Sequence, residues 1–231
     1  MRAPDVGERT DVTVEHPDRA PLSRDELARV VAGDIPPGSY VNLGIGRPTH
    51  VADHLTPDSG IVLHTENGML GMGPVAQDED VDPDLVNAGK VPVTELPGAS
   101  YFHHADSFAM MRGGHLDVCV LGAFQVSQRG DLANWHTGVE DAIPAVGGAM
   151  DLAVGAKRVF VMMTLFAKDG SSKLVESLTY PVTGLACVSR VYTEYGIVDV
   201  GPDGVTVRAT YGISVDGLRD RLPVALRRLE D

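Results

Sequence analysis

Cysteine is scarce: the 231 residues hold two, Cys119 and Cys187, each inside an apolar run. Two thiols give neither a disulfide framework nor metal-ligand spacing, and buried free thiols suit a reducing cytosol. No His, Cys and carboxylate set with ligand spacing accompanies the pair His103-His104, so these histidines read as structural or surface groups and no metal is expected. Positive charge is also short. Nineteen Lys and Arg face 32 Asp and Glu, a net charge of -13, which argues against nucleic acid or an anionic membrane as a partner. No apolar run approaches the ~20 residues that cross a bilayer, and the first 20 residues hold no apolar signal core. A cytoplasmic protein is expected. No Gly-x-Ser-x-Gly elbow is present to support Ser-His-Asp chemistry.

What is present reads as one α/β domain over residues 21–231, behind a polar arm at 1–20 rich in Pro, Asp, Glu and Arg. Ser23 to Glu26 is a capping box for a helix carrying Leu27, Val30 and Val31, with Gly33 placed just past its end. Apolar runs at 40–46, 61–65, 116–121, 159–163, 188–192 and 197–200 read as strands, and Val91 to Leu96 as an edge-like strand, because Pro92 cannot donate to a ladder. Asp203-Gly204 makes a hairpin turn. Lys168 to Lys173 reads as an exposed loop. Leu218, Leu222, Leu226 and Leu229 recur at helical spacing and predict a C-terminal helix. Strands alternating with helices argue for a sheet that is mostly parallel.

One stretch stands out, Ile61 to Pro74. An apolar strand stops at Thr65-Glu66, and Asn67-Gly68 marks a tight turn. A carboxylate is thereby placed at a strand's carboxyl end, where open α/β sheets bind ligands. Taken alone, Glu66 reads more readily as a turn residue in water. Gly147-Gly148 opens a helix and could present free backbone N–H groups, or could allow close helix–strand packing. Asn42, before Gly44 and Gly46, is a donor to a ligand or a cap on its own turn. A lone Gly-x-Gly is weak evidence for a nucleotide. Lys90, after Asn87-Ala88-Gly89, is a channel lysine or a solvated one.

The segment Thr65 to Pro74 resembles the catalytic segment of the B subunit of the two-subunit CoA-transferases that act on 3-oxo acids. Further ordered similarities lie at 82–90, 108–115, 132–135, 145–152 and 180–184, and together they run from about Leu22 to Leu222. The resemblance implies a three-layer α/β/α fold with a mostly parallel central sheet. It implies Glu66 as the nucleophile, with Asn42, Gly44, Gly46, Lys90, Gly147 and Gly148 around the substrate and CoA. It implies a separate A subunit, and hence a hetero-oligomer that is active only when assembled. No cofactor is implied beyond CoA esters as substrates. Asn134 to Gly138 and Ala142 to Gly148 are more similar to the 3-oxoadipate branch of aromatic degradation, which moves CoA from succinyl-CoA to 3-oxoadipate. Acetoacetate as acceptor, and a catalytically silent partner subunit, are the alternatives. Two departures from the family pattern stand out. Arg47 stands where many members are apolar, and is either the partner of a substrate's distal carboxylate or exposed. Thr164-Leu165 stands where many carry an acidic residue and histidine.

Overall fold

The computed structural model describes residues 12–138, 144 and 147–230. In chain order the elements are β1 (Val14–His16), α1 (Arg24–Asp34), β2 (Tyr40–Leu43), β3 (Val62–Thr65), β4 (Met69–Val75), β5 (Val93–Tyr101) and α2 (His104–Arg112). Then follow β6 (Val118–Leu121), β7 (Gln125–Ser127), β8 (Leu132–Ala133), α3 (Ala149–Gly155), β9 (Arg158–Met162) and β10 (Leu174–Val175). The last are β11 (Val188–Tyr192), β12 (Gly196–Gly201), β13 (Gly204–Tyr211), α4 (Val215–Arg219) and β14 (Leu226–Arg228). A 3-10 helix, Arg47–His54, follows β2.

The main sheet runs β1-β13-β12-β11-β9-β6-β2-β3-β4-β5, with β14 beside β13. Its centre, β11-β9-β6-β2-β3, is parallel throughout. Antiparallel hairpins extend it on both sides, β12-β13 on one and β4-β5 on the other. A second, small sheet is β10-β7-β8. The central strands are apolar at nearly every position because both faces are covered. In β6, Cys119 and Leu121 join a core with Met111 of α2, Leu152 of α3 and Leu218 of α4. Their neighbours Val118 and Val120 join the opposite core, with Leu27, Val30 and Val31 of α1 and Val51 of the 3-10 helix. Alternate side chains of a strand point to opposite faces, so these two cores are the two sides of one sheet. The three-layer expectation holds.

Several local readings change. The capping box forms: Ser23 Oγ accepts from the Glu26 N–H, and the Glu26 carboxylate accepts from the Ser23 N–H. Gly33 lies inside α1, which ends at Asp34. The expected arm over 1–20 does not extend to β1, which pairs in parallel with β13 through Val14, Glu15 and His16; residues 1–11 lie outside the described residues. Residues 69–74, absent from the strands read in the sequence, form most of β4, whose glycines and Pro74 hid it. The C-terminal helix is short. Pro223 has no N–H to donate and turns Leu222 away from helix, so α4 stops at Arg219 and Leu226 enters β14. Among the described residues, no helix is long and apolar enough to cross a membrane.

Candidate active site

Four adjacent parallel strands deliver the site. Gly44 follows β2, Glu66 follows β3, Gly122 follows β6, and Met163 and Thr164 follow β9. All of them line one cavity of about 540 Å³ at the strands' carboxyl ends. Glu66 also lines a second cavity of about 360 Å³, shared with Asn42, Gly46, His64, Asn87 and Gly89. The carboxylate therefore stands in the wall between two spaces.

The turn that holds it is fixed by glycine. Gly68 has φ +114°, and a Cβ there would sit 2.2 Å from the Phe102 carbonyl oxygen. The Gly68 N–H donates to the Thr65 carbonyl at 3.1 Å, closing the turn around Glu66. The strand before it is tied down by a buried polar chain. Asn42 Nδ2 lies 3.1 Å from His64 Nδ1 and donates to the His64 carbonyl at 3.2 Å. His64 Nε2 lies 3.0 Å from Ser107 Oγ, which in turn donates to the Thr65 carbonyl at 3.2 Å. Burial holds the His64 imidazole neutral, its pKa pushed down to about 4. A neutral ring that accepts from Asn42 at Nδ1 donates to Ser107 at Nε2.

Gly148 meets the carboxylate from the other side. Its N–H donates to Glu66 Oε2 at 3.2 Å, and a Cβ at 148 would lie 2.5 Å from that oxygen. Only glycine lets the backbone come so close. Burial raises the Glu66 pKa above the ordinary carboxylate value; the Gly148 N–H and the nearby His104 oppose that shift, while Asp151 adds to it. A desolvated carboxylate held, among the described residues, by one backbone donor keeps more of its nucleophilicity than one in water.

The residues singled out in the sequence fall into three groups. Glu66, Gly44, Gly147 and Gly148 line the larger cavity, while Glu66, Asn42 and Gly46 line the smaller one. Asn42 spends its amide N–H groups on His64, and its Oδ1 is buried without a partner among the described residues. Lys90 stands apart. Asn87, Ala88, Gly89 and Val91 line the smaller cavity, but Lys90 is exposed at φ +61° and does not line it. The Asn87 side chain sets that turn by accepting from the N–H groups of Gly89 and Val91. Residues 142, 143, 145 and 146 of the segment before Gly147 lie outside the described residues.

Three participants escaped sequence reading. Lys173, placed in an exposed loop, is half-buried in the wall of the larger cavity. His64 and Ser107 carry no motif; their signal was a histidine inside an apolar strand, which burial forces to find partners. His103, by contrast, is a helix cap, its Nδ1 accepting from the Ala105 N–H.

A model of the coenzyme A transferase family matches residues 24–212. The chain belongs to the coenzyme A transferase family. This coenzyme A transferase chain is 63% identical over 186 residues to the B subunit of the 3-oxoadipate CoA-transferase of Pseudomonas putida, covering 80% of this chain and 87% of that one. It is 42% identical over 199 residues to the B subunit of the succinyl-CoA:3-ketoacid coenzyme A transferase of Helicobacter pylori, covering 86% of this chain and 95% of that one. Among solved structures, an acyl-CoA transferase from Escherichia coli O157:H7 superposes with a TM-score of 0.68 over 89% of this chain at 18% identity. The chain covers 42% of that larger protein, and at this identity the likeness speaks for the fold alone.

Proposed function

We propose that the chain is the B subunit of a CoA-transferase that moves CoA from succinyl-CoA to 3-oxoadipate. The observation that carries the chemistry is Glu66, held by the Gly148 N–H in the wall between two cavities. The acceptor reading rests on the relatives: 63% identity to a chain of a 3-oxoadipate enzyme, against 42% to one of a 3-ketoacid enzyme.

The steps need no cofactor. The Glu66 carboxylate attacks the acyl carbon of succinyl-CoA and expels the CoA thiolate, leaving a glutamyl–succinyl anhydride. The thiolate attacks the glutamyl carbonyl, releases succinate and forms a Glu66–CoA thioester. The carboxylate of 3-oxoadipate attacks that thioester, again expelling thiolate and forming an anhydride. The thiolate then takes the 3-oxoadipyl carbonyl, and Glu66 returns to a free carboxylate. Each attack passes through an oxyanion that needs a donor, and loss of one such donor typically costs ~3–4 kcal/mol. Gly148, one of a glycine pair opening α3, offers an N–H where charge develops on the glutamyl group.

A separate A subunit is part of this reading, because both relatives are named as B subunits. So is a cytoplasmic setting, where CoA esters meet reduced thiols. The experiment is to incubate the assembled A–B pair with succinyl-CoA and digest it for mass spectrometry. A CoA adduct on the peptide bearing Glu66 is expected, and Glu66→Gln should lose both the adduct and turnover. Turnover that survives in Glu66→Gln refutes the assignment.

A further inference from the structure

Among the described residues, the larger cavity is lined by one acid and two bases. Arg47, first residue of the 3-10 helix after β2, and Lys173, just before β10, both line it together with Glu66. The rest of its lining is mostly glycine, Ala123, Phe124, Leu121, Leu152 and methionine. The backbone under Lys173 is pinned on both sides. Its N–H donates to the Leu165 carbonyl at 2.9 Å, and its carbonyl accepts from the Val126 N–H at 2.9 Å. Among the described residues, neither cation makes a side-chain hydrogen bond or an ion pair. They do act on each other. Burial pushes the Lys173 amine down to about 8, the Arg47 guanidinium pushes it the same way, and Glu194 opposes. Two like charges in a half-enclosed, largely apolar space repel, and an anion between them would relieve the repulsion. A planar guanidinium beside an ammonium suits a carboxylate, which Arg can grip through two parallel hydrogen bonds.

We propose that Arg47 and Lys173 form a subsite for the distal carboxylate of a dicarboxylic acyl group whose reacting end meets Glu66. This rests on Glu66 as the group that accepts CoA. Succinyl and 3-oxoadipyl groups carry such a second carboxylate; an acetoacetyl group does not, and would leave both cations unanswered. The pair then sets acyl preference while taking no part in bond making. It also gives Arg47 a use that an exposed arginine would lack.

The test uses the assembled pair and single-turnover formation of the Glu66–CoA adduct from succinyl-CoA and from acetoacetyl-CoA. Arg47→Met and Lys173→Met should each cut the succinyl rate about tenfold or more relative to the acetoacetyl rate, as loss of a charged hydrogen bond does. Lys173→Arg should hold the wild-type ratio within about threefold. A second measurement needs no variant: adipate should inhibit the unmodified assembly at least about tenfold better than hexanoate. An unchanged ratio in both Met variants, or adipate no better than hexanoate, overturns the subsite. An equal fall with both esters also overturns it, and assigns the cations to the CoA moiety that the esters share. Wild-type assembly with no adduct from either ester defeats the Glu66 reading instead, and that result is separate from the others.

Discussion

At Gly148 the absence of one carbon decides whether the site exists. The Gly148 N–H reaches Glu66 Oε2 only because nothing projects from its Cα, and a methyl group there would sit 2.5 Å from that oxygen. Gly148→Ala should therefore push the carboxylate off its donor while leaving both cores untouched. We expect kcat to fall about 10²-fold or more, the range seen when an oxyanion donor is lost, with little change in thermal unfolding. Steady-state kinetics beside a melting curve checks this, and unimpaired turnover would show that the contact is incidental. The same residue marks the limit of sequence reading. Gly147-Gly148 could serve either as donors or as packing glycines, and only the 82-residue bridge back to Glu66 decides between them. Lys173 shows the reverse failure. A polar stretch between glycine and β-branched residues reads as loop, and nothing local says that one lysine of the loop turns into a cavity.

Elements are joined to the site by the chain Asn42, His64 and Ser107, one member from each of β2, β3 and α2. His64 is the titrating member. Its folded pKa of about 4 lies below the ordinary histidine value near 6.5. The unfolded chain thus binds more protons between those values, so stability rises with pH across that window and is lost as pH falls from 6.5 toward 4. Full loss corresponds to about 3 kcal/mol. Other shifted groups titrate nearby. His16, also lowered by burial, and Glu15, Glu26 and Glu230, lowered by the backbone N–H groups that donate to them, act in the same direction, and Glu66, raised, acts in the opposite one. The difference between wild type and His64→Gln isolates the imidazole. We expect the variant's plot of unfolding free energy against pH, from denaturant titrations between about pH 4 and 6.5, to lose about one proton's worth of slope. Parallel plots would mean that His64 is protonated in the fold. Strand and helix identity was mostly legible where both faces of an element are buried, as in β6 and β9. It failed at the C-terminus for a geometric reason. Leu218, Leu222 and Leu226 are four apart, which satisfies a helix and also a strand. The deciding pattern was the buried run Leu222, Val224, Leu226 alternating with exposed Arg221, Pro223 and Ala225, a period of two.

As a whole, the molecule presents a half-enclosed candidate active site and an apolar surface beside it. On α3, close to Gly148, Met150 is 40% and Val154 78% exposed. The neighbouring turn adds Val182 at 43% and Leu185 at 71%. The two segments touch: a Cβ built on Gly184 would lie 3.3 Å from the Ala153 Cβ. Isolated surface leucines and valines are ordinary, but several on adjoining segments beside the candidate site are what a partner-covered face would present. Both cavities are also open to solvent, whereas the thioester and anhydride of the proposed mechanism would survive only where water is kept out. An A subunit seated on α3 would meet both needs, covering apolar surface and closing the space around Glu66. Val154→Asp and Leu185→Asp should then weaken A–B assembly at least about tenfold, since each places a charge where an interface core excludes it. The same variants should leave the unfolding of the isolated chain nearly unchanged, because both side chains are already in water. Analytical ultracentrifugation of mixed subunits reads the first effect and a melting curve the second. Assembly at wild-type strength in both variants would place the partner elsewhere on the sheet.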